Sequence, residues 1–363
     1  MEITARDLFF WLFTILITGL PIIIYFGEKR VRKLSPSDWI PIPPATEIIS
    51  LRIYPIKSCR GIEVPSVKLL KTGLDLDRQW MFIDVSEKHK FQTIREVSKL
   101  TLINTAINWE TDELEISIAN DKSNPPTKVV VPAHPSEEWL AENTTLTHAF
   151  IWSETHDAYV YPESISKPFS DFLDMEVRLV IRGPTPRVLR GCGAPKLLGR
   201  TEAIKWADMA PVLLTNVRSI NELNNRLMQR GYDAITLERF RPNIVVAGSD
   251  AWAEDMWKTV KMSPRESDHG SSEKKKRNAS IIMDVTSRCA RCHVPNVDPD
   301  TGMAHKEQPF DLMYTYRRID EGAKYKSCFG MLCAPRSEGT IKVGDKFEVT
   351  AVTAEHKFIS PMK

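Results

Sequence analysis

The chain has no Gly-x-Gly-x-x-Gly behind a strand and no P-loop, so nicotinamide, flavin and ATP binding in their usual frames find no support. It has no basic stripe interleaved with aromatics, and its formal net charge of +2 favours no polyanionic partner. Nucleic-acid binding is therefore not expected. Six cysteines in 363 residues are too few and too unevenly spaced for a disulfide scaffold. Reduced thiols on the cytosolic side of a membrane are the default. Helical periodicity is scarce, whereas strand signals are short, numerous and spread over both halves. That favours a mixed, β-rich α+β fold built from barrel-like modules over a doubly wound sheet.

One long apolar run is present. Leu8 to Phe26 (LFFWLFTILITGLPIIIYF) carries no charge and is close to the length a membrane-spanning helix needs. Glu2, Arg6 and Asp7 precede it, and Lys29, Arg30, Arg32 and Lys33 follow it. A cleaved signal peptide would show the reverse order. By the positive-inside rule the basic flank stays in the cytosol, as does everything after it. Residues 1–33 are thus expected to form an uncleaved, single-pass signal anchor with its transmembrane helix at 8–26. A proline-rich spacer follows at 34–46, LSPSDWIPIPPAT after the lysine.

The remaining chain divides into a largely β module at 47–160 and a second domain at 161–350. In the first, Glu47–Pro55, a β-branched run ended by its proline, Val64–Leu70 and Trp80–Val85 read as strands, with Lys57, Ser58 and Cys59 in a turn before Gly61. In the second, 164–175 has helical spacing, and Asn216 caps a helix running to Gly231. Arg182 to Trp206, rich in Gly, Pro and basic residues, reads as a long surface loop. Gly339 to Val349 reads as a hairpin-like pair of short strands. The charged, weakly hydrophobic stretch 263–280 reads as a flexible insert.

The chemistry concentrates in Cys289-Ala290-Arg291-Cys292-His293, closely followed by Val297-Asp298-Pro299-Asp300-Thr301-Gly302. Thiolates and imidazoles are soft ligands for transition metals. Three metal readings stand on the residues alone: a c-type haem attachment site, a zinc site pairing Cys289 and Cys292 with Cys328 and Cys333, or one thiolate serving a metal carried by an organic cofactor. The haem reading requires an oxidising assembly compartment, which the expected topology denies. Cys289 and Cys292 as ordinary buried or loop thiols is the plain alternative.

Four separated motifs stand in the order Tyr54-Pro55-Ile56-Lys57-Ser58-Cys59-Arg60-Gly61, Asp77-Arg78-Gln79-Trp80, Phe240-Arg241-Pro242-Asn243-Ile244-Val245, and Arg291-Cys292 with the Val297–Gly302 turn. In that order they resemble the mitochondrial amidoxime-reducing component family. The likeness spans roughly residues 47 to 350. It implies an N-terminal β-barrel followed by a molybdenum-cofactor sulfurase C-terminal (MOSC) domain. By the same resemblance Cys292 supplies the thiolate to molybdenum. Lys57, Ser58 and Arg78 hold the phosphate and ring of the molybdopterin, and Arg241, Asn243, Arg95 and Arg291 belong to the same cofactor cleft.

The resemblance further implies a molybdenum-dependent oxidoreductase that reduces small N-hydroxylated substrates. Its electrons would come from cytochrome b5 and a cytochrome b5 reductase. The anchor fits the mitochondrial outer membrane, the family's place, and the endoplasmic reticulum alike. Other functions open to the same residues are a cofactor carrier or sulfur-transfer protein using Cys292, and a zinc-binding membrane adaptor. The chain departs from the family at Met209-Ala210, where hydroxyl residues are usual before Pro211, and at Met331-Leu332, where a tyrosine usually follows Phe329-Gly330.

Overall fold

The computed structural model describes residues 36–86, 88–265 and 280–360, with short helical pieces at 13–14 and 17–19. Met1–Pro41 and Ile42–Lys363 are separate compact units. Most of the expected transmembrane helix at 8–26 and of the insert at 263–280 falls outside the described residues. Among the described residues no helix is long and apolar enough to cross a membrane.

Within Ile42–Lys363 the larger sheet runs Ile244–Val246, Val212–Asn216, Cys328–Pro335, Ile281–Ala290, Trp257–Ser263, Lys346–Val352 and Thr46–Ile53. The last of these pairs back onto the first, with Leu51 opposite Ile244, so the sheet closes on itself. Its neighbours are antiparallel apart from the parallel pair Val212–Asn216 and Ile244–Val246. The connection between those two carries the helix Val217–Gln229, whose Asn216 cap accepts the Arg218 amide at 2.8 Å. A smaller closed barrel is made of Trp80–Asp84, Lys90–Phe91, Thr145–Ile151, Glu154–Val160 and Val177–Arg182. Closure leaves neither sheet a long free edge in these strands.

The two barrels are interleaved in sequence. Thr46–Ile53, expected to open the first module, is a stave of the larger barrel, and Val177–Arg182, on the far side of residue 160, is a stave of the smaller one. One apolar cluster joins them, with Trp80, Phe82 and Leu179 from the small barrel and Val212, Leu214 and Met331 from the large one. Side chains of such size each contribute on the order of 1.5–3 kcal/mol when fully buried. The two barrels therefore meet along a dry core, and the loops at their junction are held from both sides.

Two local expectations are corrected. Gly339–Lys342 does not pair with the strand after it; it pairs with Ser66–Leu70, while Lys346–Val352 pairs with Trp257–Ser263. The sequence shows a turn at Gly344 but not the partner that tertiary packing selects. Arg182 to Trp206 is likewise no simple surface loop. It holds a short strand pair, Arg187–Val188 with Ala203–Ile204, and a helical turn Pro195–Leu198. Leu189, Ile204 and Trp206 within it are buried.

Candidate functional site

At the junction of the barrels three loops are zipped together by backbone hydrogen bonds. Arg78 N donates to Tyr54 O at 2.8 Å, Lys57 N to Trp80 O at 2.8 Å, and Trp206 N to Arg78 O at 2.9 Å. Asp77 is the hub beneath them. Its carboxylate accepts the Tyr54 amide at 2.8 Å, the Asn243 side chain at 3.0 Å and the Arg78 guanidinium at 2.7 and 2.8 Å. Ser58, Arg78 and Arg241 all hold a left-handed backbone, with φ of 72°, 47° and 57°. Each such non-glycine residue costs about 1–2 kcal/mol. Concentrated strain of this kind is characteristic of sites where side chains must be aimed rather than packed.

Between these loops and the end of Ile281–Ala290 lies a cleft with about 970 Å³ of space, mouth included. Lys57, Ser58, Arg78, Arg95, Arg241, Asn243, Arg291 and Cys292 all line it. More than two hundred positions of sequence separate the first from the last, and the fold brings the whole set together. Their bonding divides them into two kinds. Asn243 spends its amide on the protein: Oδ1 accepts the Leu213 amide at 3.0 Å, and Nδ2 donates to Arg52 O and Asp77. Arg291 is likewise committed, donating to Phe329 O at 2.8 and 2.9 Å and to Phe240 O at 3.1 Å, over the stacked rings of those two residues. Both hold the wall in shape.

Arg241 is of the other kind. Its guanidinium lies over the Tyr54 ring with centroid distance 4.2 Å, opposite Arg78 at 4.4 Å. One terminal nitrogen donates to Cys59 O at 2.8 Å. The other, Nη2, is buried without a hydrogen-bond partner. An unsatisfied buried donor on a charged group costs roughly 1–3 kcal/mol or more, and an anion in the cleft removes that cost. Burial, with Arg78 beside it, pulls the Arg241 guanidinium below its ordinary range. Arg95 lies over Trp152 at 4.6 Å. Lys57 is buried, which lowers its ammonium to about 8; the Asp208 carboxylate opposes the shift. Its Nζ donates to Trp206 O at 2.9 Å and to Asp208.

Cys292 sits in the turn after Ile281–Ala290, and Cys289 lines the same cleft, so the two thiols share one wall. Burial pushes the Cys289 thiol up. His293 turns aside and stacks on Phe310 at 3.8 Å. The Val297–Gly302 turn is a brace: Asp298 accepts the Asp300 and Thr301 amides at 2.8 and 3.1 Å and the Arg239 guanidinium at 2.7 Å. Among the described residues no three His, Cys, Asp or Glu side chains converge as a metal cluster. The four-cysteine zinc arrangement is not formed, and Cys328 and Cys333 are buried in Cys328–Pro335.

Two features escaped the sequence reading. Asp77 was visible only as part of a motif, with no sign of its hub role. Asp208, which pairs with Lys57 and lines the cleft, was passed over because the stretch around it reads as loop.

The profile described as "MOSC N-terminal beta barrel domain" matches residues 45–176, and that described as "MOSC domain" matches 201–348. Mitochondrial amidoxime-reducing component 1 of Mus musculus is 31% identical over 336 residues, covering 89% of this chain and 87% of the mouse protein. The chain belongs to the mitochondrial amidoxime-reducing component family. Within that family, component 2 of Homo sapiens is 30% identical over 310 residues, or 82% of each chain. Molybdenum cofactor sulfurase of Arabidopsis thaliana is 27% identical over 310 residues, covering 80% of this chain and 33% of the plant protein. The β-rich fold described above agrees with a MOSC N-terminal β-barrel followed by a MOSC domain.

Proposed function

We propose that the chain is a molybdenum-cofactor-dependent oxidoreductase that reduces small N-hydroxylated substrates. The observation that carries this reading is the donor set of the cleft. Cys292 and Cys289 share one wall, no group of three or more possible metal ligands forms among the described residues, and Arg241 lines the same cleft with a buried donor that has no hydrogen-bond partner among them. One or two thiolates do not retain a free metal ion. A single thiolate completes the coordination of a metal that arrives with other soft ligands and an anionic tail. The residues therefore fit a pterin-borne molybdenum.

In this reading Cys292 holds the metal, and Arg241, Ser58 and Arg95 receive the anionic and polar edges of the cofactor by charge-assisted bonds. Lys57 and Arg78 supply positive field from within their pairs with Asp208 and Asp77. Asn243 and Arg291 keep the wall rigid. When bound, the molybdenum cofactor supplies a metal able to exchange two electrons, the number that N–O cleavage requires. Val294, Pro295 and Leu213 make part of the lining apolar. Met209 and Ala210, at positions where the family has hydroxyls, make one side of the cleft apolar.

Electrons reach the site, in this reading, from cytochrome b5 and its NADH-dependent reductase, because the chain has no nicotinamide or flavin motif of its own. The charge-free run at 8–26 with its basic C-terminal flank supports a membrane anchor, and the likeness to mitochondrial amidoxime-reducing components supports mitochondria, with the catalytic unit facing the cytosol.

The test is reduction of an amidoxime by the purified chain supplied with cytochrome b5, its reductase and NADH. Cys292→Ser is expected to bring turnover to background with circular dichroism unchanged, and Cys289→Ser to retain turnover. Wild-type turnover in Cys292→Ser would refute the assignment. A persulfide on Cys292 in the wild-type protein, with no reductase activity, would instead favour sulfur transfer.

A further inference from the structure

Asp208 is the one carboxylate in the cleft wall whose two oxygens are treated differently. Oδ1 takes both of its bonds, from the Lys57 ammonium and from the Trp152 indole N–H at 3.2 Å. Oδ2 has no partner among the described residues. The side chain keeps half of its surface open, and it lines both the cleft and the adjoining crevice with Trp152 and Arg187. Burial of the site raises its carboxyl, but the Lys57 ammonium outweighs that and, with Arg95 and Arg187, holds it below the ordinary carboxylate range. The group is thus ionised at neutral pH, pinned by one oxygen and free at the other. A salt bridge that served stability alone would gain by using both.

We propose that Asp208 is a substrate-orienting residue whose Oδ2 accepts an N–H or O–H donor of the bound substrate. The cleft would then select molecules that carry a donor beside the N–O bond, such as an amidine-type nitrogen, over acceptor-only carboxylates of the same shape. This rests on the reading of the cleft as a reductase site. An acceptor in the wall of a partly desolvated cleft discriminates strongly, because a ligand lacking the donor leaves the carboxylate unpaired.

Two flat probes of equal size decide it: benzamidine, which donates, and benzoate, which only accepts. Binding of each to the full chain as purified is measured by calorimetry, alongside its molybdenum and pterin content. The expected result is benzamidine bound about 10- to 100-fold more tightly than benzoate, the span of one charge-assisted hydrogen bond. Asp208→Asn should erase that preference while keeping molybdenum and pterin at the wild-type level. Equal or tighter benzoate binding by the wild-type chain overturns the proposal without any variant. So does an unchanged preference in Asp208→Asn, and so does loss of cofactor from that variant, which would place Asp208 among the cofactor's holders. Should Asp208→Asn fail to fold, the wild-type comparison still decides. Absence of molybdenum and pterin from the wild-type chain counts against the reductase reading instead, and is seen separately from the probe preference.

Discussion

Arg241 is the residue whose chemistry is most exposed to test. It combines a left-handed backbone, stacking on Tyr54 and one buried, unpaired nitrogen. Arg241→Met keeps the stacking volume and removes the donor. If the orphan nitrogen serves an anion, the variant should hold the pterin about 10- to 100-fold less tightly, the weight of one charge-assisted bond. Its melting temperature should fall only modestly, because removal of the costly unsatisfied group offsets part of the lost bond to Cys59 O. Equal pterin retention in variant and wild type, at limiting cofactor, would show that the nitrogen has another role. At this scale the sequence was informative about which residues meet, since each motif carries rare residue types in a fixed order. It was silent about how they are used. Nothing in Arg291 or Asn243 as letters reveals that their donors are consumed by Phe329, Phe240, Arg52 and Asp77. That depends on which carbonyls the barrels bring within reach.

The elements matter through close approach. Cys328–Pro335 lies next to both Val212–Asn216 and Ile281–Ala290, and it carries the carbonyl of Phe329 that holds Arg291. Gly330 makes that approach possible: at φ 73°, a Cβ there would fall 2.7 Å from the Thr215 side chain and 2.9 Å from Leu214 O. Gly330→Ala is expected to cost about 2–4 kcal/mol, summing a left-handed alanine and overpacking of a tight strand pair. Thermal melting should show it as a drop of roughly 4–16 °C, with weaker cofactor retention as the Arg291 wall shifts. A variant as stable as wild type would mean that the strand pair has slack the geometry does not show. Strand existence was legible here from the alternation and β-branched runs, while partner choice was not. Gly339–Lys342 and Lys346–Val352 look like a hairpin in sequence, yet each finds better burial on a distant strand. The buried content of 182–206 was hidden for a similar reason: its apolar residues, Leu189, Ile204 and Trp206, are isolated and show no period.

For the whole molecule, the separation of Met1–Pro41 from Ile42–Lys363 makes a direct prediction. A chain beginning at Ile42 should fold with the circular dichroism and melting temperature of the full protein in detergent, since both barrels and their shared core lie within it. Aggregation of that shortened chain would show that the leading residues contribute to the folded unit. The interleaving of the barrels places the cleft where two closed sheets meet on one core, so its frame is fixed by packing. The most direct measurement is metal and pterin analysis of the purified chain and of Cys292→Ser. The account predicts about one molybdenum and one molybdopterin per wild-type chain, with molybdenum lost from the variant. Zinc alone, or no metal, in the wild-type protein would contradict it.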